Sequence, residues 1–182
     1  MTRATGTHFL ETRPVAGEHI PYYGRYIALV PAGNLAGLLA AQHAVTQRLL
    51  APLSDARALH RYAPGKWSIK EVVGHLADAE RVFAYRVLRF ARADVTPLPG
   101  FDENTYVPVA DFDRRPLADL AAEYAAVRSA THALIAGLDE AAWVRQGTAN
   151  GDTVSVRALG CITAGHELHH VAILRERYGV SG

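Results

Sequence analysis

The sequence has one cysteine, Cys161, in 182 residues. An intrachain disulfide and a cysteine-built zinc knuckle are thereby excluded, and a reducing, cytoplasmic location is the expectation. There is no run of 18 apolar residues, so no segment is expected to span a membrane. The opening stretch MTRATGTHFLETRPVAGEHI lacks the apolar core of a secretory leader. Charge of one sign is also missing. The 19 Lys and Arg against 18 Asp and Glu leave +1 with the histidines neutral, which supplies no basic face for nucleic acid. Internal repeats and low-complexity tracts are absent, and no apolar–polar alternation of useful length marks a strand. What the chain does have is histidine. Nine are present, and three fall within GHELHHVAIL, residues 165–174.

A chain of this length buries a core without staples, and a single domain over 1–182 is expected. Residues 1–31, rich in Gly, Pro and aromatics, read as an irregular arm packed on the body. The helical period then sets in. NLAGLLAAQHAVTQRLL, 34–50, has Asn34 as a natural N-cap and Leu35, Leu39, Thr46 and Leu50 along one face. In KWSIKEVV, Ser68 and Glu71 have the spacing of a capping box, with Trp67 and Val72 as its hydrophobic staple. The helix so started is expected to run from Ile69 to near Ala93, with Leu76, Ala79, Phe83, Val87 and Phe90 inward. Residues 94–116 carry four prolines and no period. Bundle connections are typically about 2–8 residues, so this one is long enough to return along a helix and leave its neighbours parallel. A third helix is expected over 117–138. A second connection follows over 139–154, with a short turn at EAAW, and a fourth helix from Ser155 to Tyr178 stops at Gly179. The fold class is all-α, a four-helix bundle with a long crossover between its second and third helices.

On a helix turning about 100° per residue, His166 falls at the centre of the face made by Leu159, Ile162 and Ile173. His170 and His169 flank it on opposite sides. The i,i+4 pair His166/His170 offers two nitrogens to one ion, and the i,i+3 pair His166/His169 is a weaker alternative. A third ligand must come from another element. His75 lies at the edge of the buried arc of the second helix, where it can face the bundle axis, and His43 is a spare candidate. His132 reads as a surface residue. Three neutral imidazoles with an open position make a catalytic arrangement for a zinc-like ion, whereas a structural site is closed by four protein ligands. Without a metal, three buried imidazoles would be unsatisfied polar groups. Cys161 points away from His166 and reads as a packing thiol.

Two blocks resemble the DinB-like family of helical-bundle proteins. PGKWSIKEVVGHLADAERVFAYRVLRFAR, 64–92, is similar to that family's W-S-x-x-E-x-x-x-H helix start. GHELHHVAILRERYG, 165–179, is similar to its H-x-x-x-H helix, and LPGFDENTYV, 98–107, resembles the crossover of one subgroup. The resemblance implies an up-down-down-up bundle and one divalent metal ion, zinc or nickel, held by His75, His166 and His170, with His169 as an extra imidazole. It also implies a homodimer and a relation to transferases and isomerases that use low-molecular-weight thiols. The leading expectation is thus a metal-dependent thiol S-transferase acting on a small-molecule thiol and an electrophilic substrate, with no nucleic-acid or membrane partner. A metal-dependent hydrolase on the same site and a non-catalytic, stress-related metal-binding bundle are the alternatives. Hydrolysis needs a base, and Asp78, Glu80 and Glu167 read as solvated or ion-paired carboxylates. Arg86, on the same side of its helix as His75, and the crossover residues Asp102, Asn104 and Tyr106, with Glu103 beside them, are the candidate substrate contacts. No catalytic residue is assigned.

Overall fold

The computed structural model describes residues 7–181. Eight helices and one hairpin are found among them: α1 (Pro21–Leu29), α2 (Leu35–Leu50), α3 (Asp55–Ala58), α4 (Ile69–Ala91), α5 (Glu103–Ala110), α6 (Leu117–Ala136), α7 (Glu140–Trp143), β1 (Gln146–Ala149), β2 (Asp152–Ser155) and α8 (Val156–Glu176). Short 3-10 turns occupy Thr7–Glu11 and Phe112–Arg114.

The four long helices α2, α4, α6 and α8 form the bundle. Each starts or packs as its side chains dictate. The Asn34 side chain accepts from the Gly37 N–H and opens α2. The Ser68 hydroxyl accepts from the Glu71 N–H at 3.0 Å while the Ser68 N–H donates to Glu71 Oε2 at 2.7 Å, a complete capping box at the start of α4. Ser155 caps α8 through the Ala158 N–H. The inward stripes are apolar, and their ends sort into two clusters. One gathers Leu39 of α2, Phe83 and Phe90 of α4, Ile135 of α6 and Leu159 and Ile162 of α8. The other gathers Leu49 of α2, Ile69 and Val72 of α4, Leu120 of α6 and Val171 and Leu174 of α8. Read in chain order, α2 and α8 run from the first cluster to the second, while α4 and α6 both run from the second to the first. The bundle is therefore up-down-down-up, and the crossover between α4 and α6 spans its full length.

Between the two apolar clusters lies a polar layer. Arg128 of α6, 2% exposed, donates to both oxygens of Glu80 on α4, to Glu167 Oε2 on α8 at 2.6 Å and to the Tyr124 hydroxyl at 2.8 Å. Thr46 of α2 donates to the remaining Glu167 oxygen at 2.6 Å. All four long helices thus meet in one hydrogen-bonded network at mid-height.

Three elements differ from the sequence expectation. The supposed irregular arm contains α1, opened by Pro21 at its first turn. Tyr26 of α1 is buried, and its backbone presses against Gly165 of α8, where an added Cβ would stand 2.0 Å from the Tyr26 carbonyl oxygen. Residues 1–6 of that arm lie outside the described residues. The crossover is not structureless either. Asp102 caps α5 by accepting from the Asn104 N–H at 2.9 Å, and Val107 of α5 is buried in the second cluster. Finally, residues 146–155 form a two-stranded antiparallel hairpin. Asn150 and Gly151 turn it, both with positive φ, the backbone that a tight hairpin turn requires. Leu98 of the crossover joins the hairpin through Leu98 N–H to Thr148 O and Asn150 N–H to Leu98 O, each 2.9 Å. The adjoining Pro99 carbonyl accepts from Arg86 of α4 at 3.0 Å, which ties this part of the crossover to that helix.

Candidate metal centre

The capping box fixes where α4 begins, and so where His75 stands. Its ring reaches across to α8, where His166 and His170 occupy successive turns of one face. His75 Nε2 and His166 Nε2 are 3.0 Å apart. The His75 ring lies 4.9 Å from each of the other two, and those two lie 4.6 Å from each other. One ring nitrogen from each residue can be chosen so that all three lie within 4.8 Å of one another. All three side chains are buried. The Trp67 ring lies tilted at 4.8 Å from that of His75, and Phe83 and Tyr26 each lie 5.5 Å from His166.

This environment keeps the imidazoles neutral. Burial pushes His75 down to about 4. Burial, and then the neighbouring imidazoles, hold His166 and His170 well below the ordinary histidine range. Neutral imidazole is the form that offers a lone pair to a metal. The cluster also fits a cation by its own hydrogen bonding. Two neutral rings facing each other through Nε2 satisfy one proton between them, and His170 Nδ1 is buried with no partner. The donor set is nitrogen only, which suits zinc, nickel, copper and iron better than calcium or magnesium.

A cavity of about 360 Å³ opens beside the cluster and is lined by both His75 and His166. Tyr22, Tyr23 and Tyr26 of α1 form part of its wall, as do Phe83 and Arg86 of α4 and Phe101 and Glu103 of the crossover. The α1 tyrosines were not among the expected contacts, because the arm that holds them carried no readable motif. Of the expected substrate contacts, Arg86 faces the cavity and is 4% exposed. Asp102 and Asn104 stay at the α5 start, where Asp102 also accepts from the Asn104 side chain at 3.2 Å. Tyr106, half exposed, packs on Phe101 and lines a separate surface groove. His169 is half-buried against Tyr26 and stands outside the cluster. His43 lies beside Tyr124 with its Nδ1 unpartnered, also outside it. Asp78 pairs with Arg81, and Glu80 and Glu167 are both held by Arg128. Cys161 is buried, and burial pushes its thiol up to about 11.

The chain belongs to the DinB superfamily, whose sequence profile matches residues 38–174. Two solved structures share its fold. YfiT from Bacillus subtilis, described as a probable metal-dependent hydrolase with an unusual four-helix bundle topology, superposes with a TM-score of 0.64 at 18% identity, covering 94% of this chain and 95% of its own. A mycothiol-dependent maleylpyruvate isomerase superposes with a TM-score of 0.67 at 16% identity, covering 86% of this chain and 64% of its own. No curated protein sequence matches the chain. Among the described residues no helix is long and apolar enough to cross a membrane.

Proposed function

We propose that His75, His166 and His170 hold one divalent metal ion, zinc or nickel, and that the protein is a cytoplasmic metal-dependent thiol S-transferase. The observation that carries this reading is a cluster of three buried neutral imidazoles beside a cavity, with no fourth His, Cys, Asp or Glu ligand grouped with them among the described residues. Three ligands and an adjoining space are the pattern of a catalytic site rather than a closed structural one. When bound, a divalent ion there holds a small-molecule thiol as thiolate at neutral pH, the nucleophilic form.

The protein's own residues do the rest. Trp67, Phe83 and Tyr26 surround the imidazoles with rings and keep bulk water from them. The α1 tyrosines and Phe101 give the cavity an apolar wall against which an acceptor can lie. The thiolate sulfur forms a bond to an electrophilic carbon of that acceptor as that carbon's bond to its leaving group breaks. The leaving group departs with the bonding electron pair, and the thiol proton passes to solvent. No protein base is required for this, which agrees with Glu80 and Glu167 being committed to Arg128. One observation favours a hydrolase instead: Glu103 lines the same cavity and could act on a water.

Elemental analysis of untagged protein, beside a His166→Ala variant, tests the metal. We expect about one zinc or nickel per chain, lost in the variant. A panel of low-molecular-weight thiols with an electrophilic acceptor then tests the reaction. Turnover that needs a thiol supports the transferase. Turnover without thiol, abolished by Glu103→Gln, replaces it with hydrolysis. A protein that takes up no metal on reconstitution sinks both readings.

A further inference from the structure

The cavity beside His75 and His166 is lined by a guanidinium, that of Arg86, with no ion-pair partner among the described residues. Arg86 lies on α4 beyond His75 and is 4% exposed. Side chains on a helix lean toward its N-terminus, so Arg86 reaches back toward the imidazoles and helps line their cavity. Its Nη2 donates to the Pro99 carbonyl at 3.0 Å, and Tyr23 lines the cavity with it. The Phe101 ring centroid is 5.9 Å from the guanidinium carbon. Among the described residues no carboxylate forms an ion pair with it, although Glu103 lines the same cavity.

The other deeply buried guanidinium of this bundle shows what such a group ordinarily requires. Arg128 is held by the carboxylates of Glu80 and Glu167. Arg86 has a carbonyl instead, which accepts a hydrogen bond but brings no charge, and burial holds its pKa below that of an ordinary arginine. A buried cation without an anion is unfavourable, and its planar fork of donors matches a carboxylate or phosphate. Among the described residues none supplies the missing charge, which a bound anion would provide. The rest of the nearby wall is aromatic, with Tyr22, Tyr23, Phe83 and Phe101.

We infer that Arg86 is an oxyanion subsite of this cavity, and that the small molecule handled beside His75 and His166 carries a carboxylate or phosphate on an apolar or aromatic body. This rests on the cavity being the reaction site proposed above, but its test needs no turnover. Benzoate, phenyl phosphate and benzamide share a ring and differ in charge. They are titrated by calorimetry into the protein as purified, with metal content measured alongside, and into Arg86→Gln and Arg86→Lys variants. One of the two anions is expected to bind about tenfold or more tightly than benzamide. That preference should vanish in Arg86→Gln and persist in part in Arg86→Lys. The ranking of benzoate against phenyl phosphate tells which oxyanion fits. Equal binding of all three probes overturns the inference. So does a preference that survives in Arg86→Gln, since the anion then sits elsewhere, directly on the metal for example. If Arg86→Gln does not fold, the Arg86 Nε–H resonance of the wild-type protein decides. It shifts with benzoate or phenyl phosphate and not with benzamide, or the inference falls. A protein without metal, or one that turns over without thiol, removes the transferase reading and leaves this titration as it was.

Discussion

Arg128 and Glu167 meet at 2.6 Å in the middle of the bundle, with side chains 2% and 1% exposed. Helix α6 contributes none of the three clustered imidazoles, yet this contact makes it part of their support. Glu167 follows His166 directly, and Glu80, the other carboxylate on Arg128, lies little more than one turn beyond His75. One guanidinium thus ties together the two helices that carry the clustered imidazoles.

Replacing Arg128 with Met should leave two carboxylates buried without a partner. Removal of one member of a buried charge network typically costs about 3–5 kcal/mol. For a domain of this size that lowers Tm by roughly 6–20 °C. Thermal unfolding followed by circular dichroism gives the number. The triple change Glu80→Gln, Arg128→Met, Glu167→Gln removes all three charges together and should recover most of the loss. If the single and triple variants melt alike, the network is not the stabilising unit described here.

Metal binding should show as stability. A ligand at a hundredfold excess over its Kd stabilises the folded state by about 2.7 kcal/mol, which for this chain corresponds to roughly 5–10 °C in Tm. Chelator should lower Tm and zinc or nickel should restore it. The His166→Ala variant should respond to neither. A melting curve indifferent to chelator in wild-type protein that demonstrably contains metal would contradict coupling of the site to the fold.

Position 165 should tolerate no side chain. The Cβ of Gly165→Ala would stand 2.0 Å from backbone of Tyr26, and backbone has less room to yield than a side-chain tip. Overpacking typically costs about 1–3 kcal/mol, and here the strain is relieved by lifting α1 off α8. Limited proteolysis should then cut within residues 20–30, while the wild-type chain resists. Equal protection in the two proteins would mean that α1 accommodates the methyl group.

The pH dependence of stability should carry a contribution from Glu18. This buried carboxylate accepts from Ser155 Oγ at 2.9 Å and from Arg157 Nε at 2.6 Å. Burial alone would raise its pKa, but the hydrogen bonds of Arg157 and Ser155 and the charge of Arg157 outweigh it and hold the carboxyl below the ordinary glutamate value. A lowered folded-state pKa gives stability that is present above the unfolded value and lost as pH falls through the folded one. Glu18→Gln should therefore be less stable than wild type at pH 7, by about 1.5–3 kcal/mol for hydrogen bonds to a charged group. The gap should begin to close near pH 4.5 and narrow further in more acidic buffer. Urea titrations at several pH values measure it, and a gap that widens on acidification would reverse the sign assigned here.

Much of the bundle was readable because its signals are local. Ser68 and Glu71 announce α4 by spacing alone, and Asn34 does the same for α2. The i,i+4 spacing of His166 and His170 placed both on one face without any knowledge of the partner helix. The misses have equally physical causes. Helix α1 is short, begins with proline, contains Gly24 and is rich in tyrosine, so its helicity comes from packing on α8 rather than from propensity. The hairpin strands have four residues each, too few for alternation to register, although Asn150-Gly151 is a strong turn signal that the periodicity left unused. Arg128 falls four residues after Tyr124 and three before Thr131, on one buried stripe of α6. A charge on such a stripe asks for carboxylates on the facing helices, and Glu80 and Glu167 supply them. The cavity wall was out of reach, because the chain segments that meet there are brought together by the fold alone.

The seat of Tyr26 on Gly165 also orders events in time. During synthesis α1 emerges before every other helix described here, but the groove that receives it belongs to α8, which emerges after all the rest. The tyrosine wall can close over the imidazoles only when α8 has been made, whatever the intervening helices have done by then. Contacts between segments so far apart in sequence form slowly relative to local ones. A ribosome stalled before Gly165 should therefore display α1 free of its seat, with the mouth of the cavity still open.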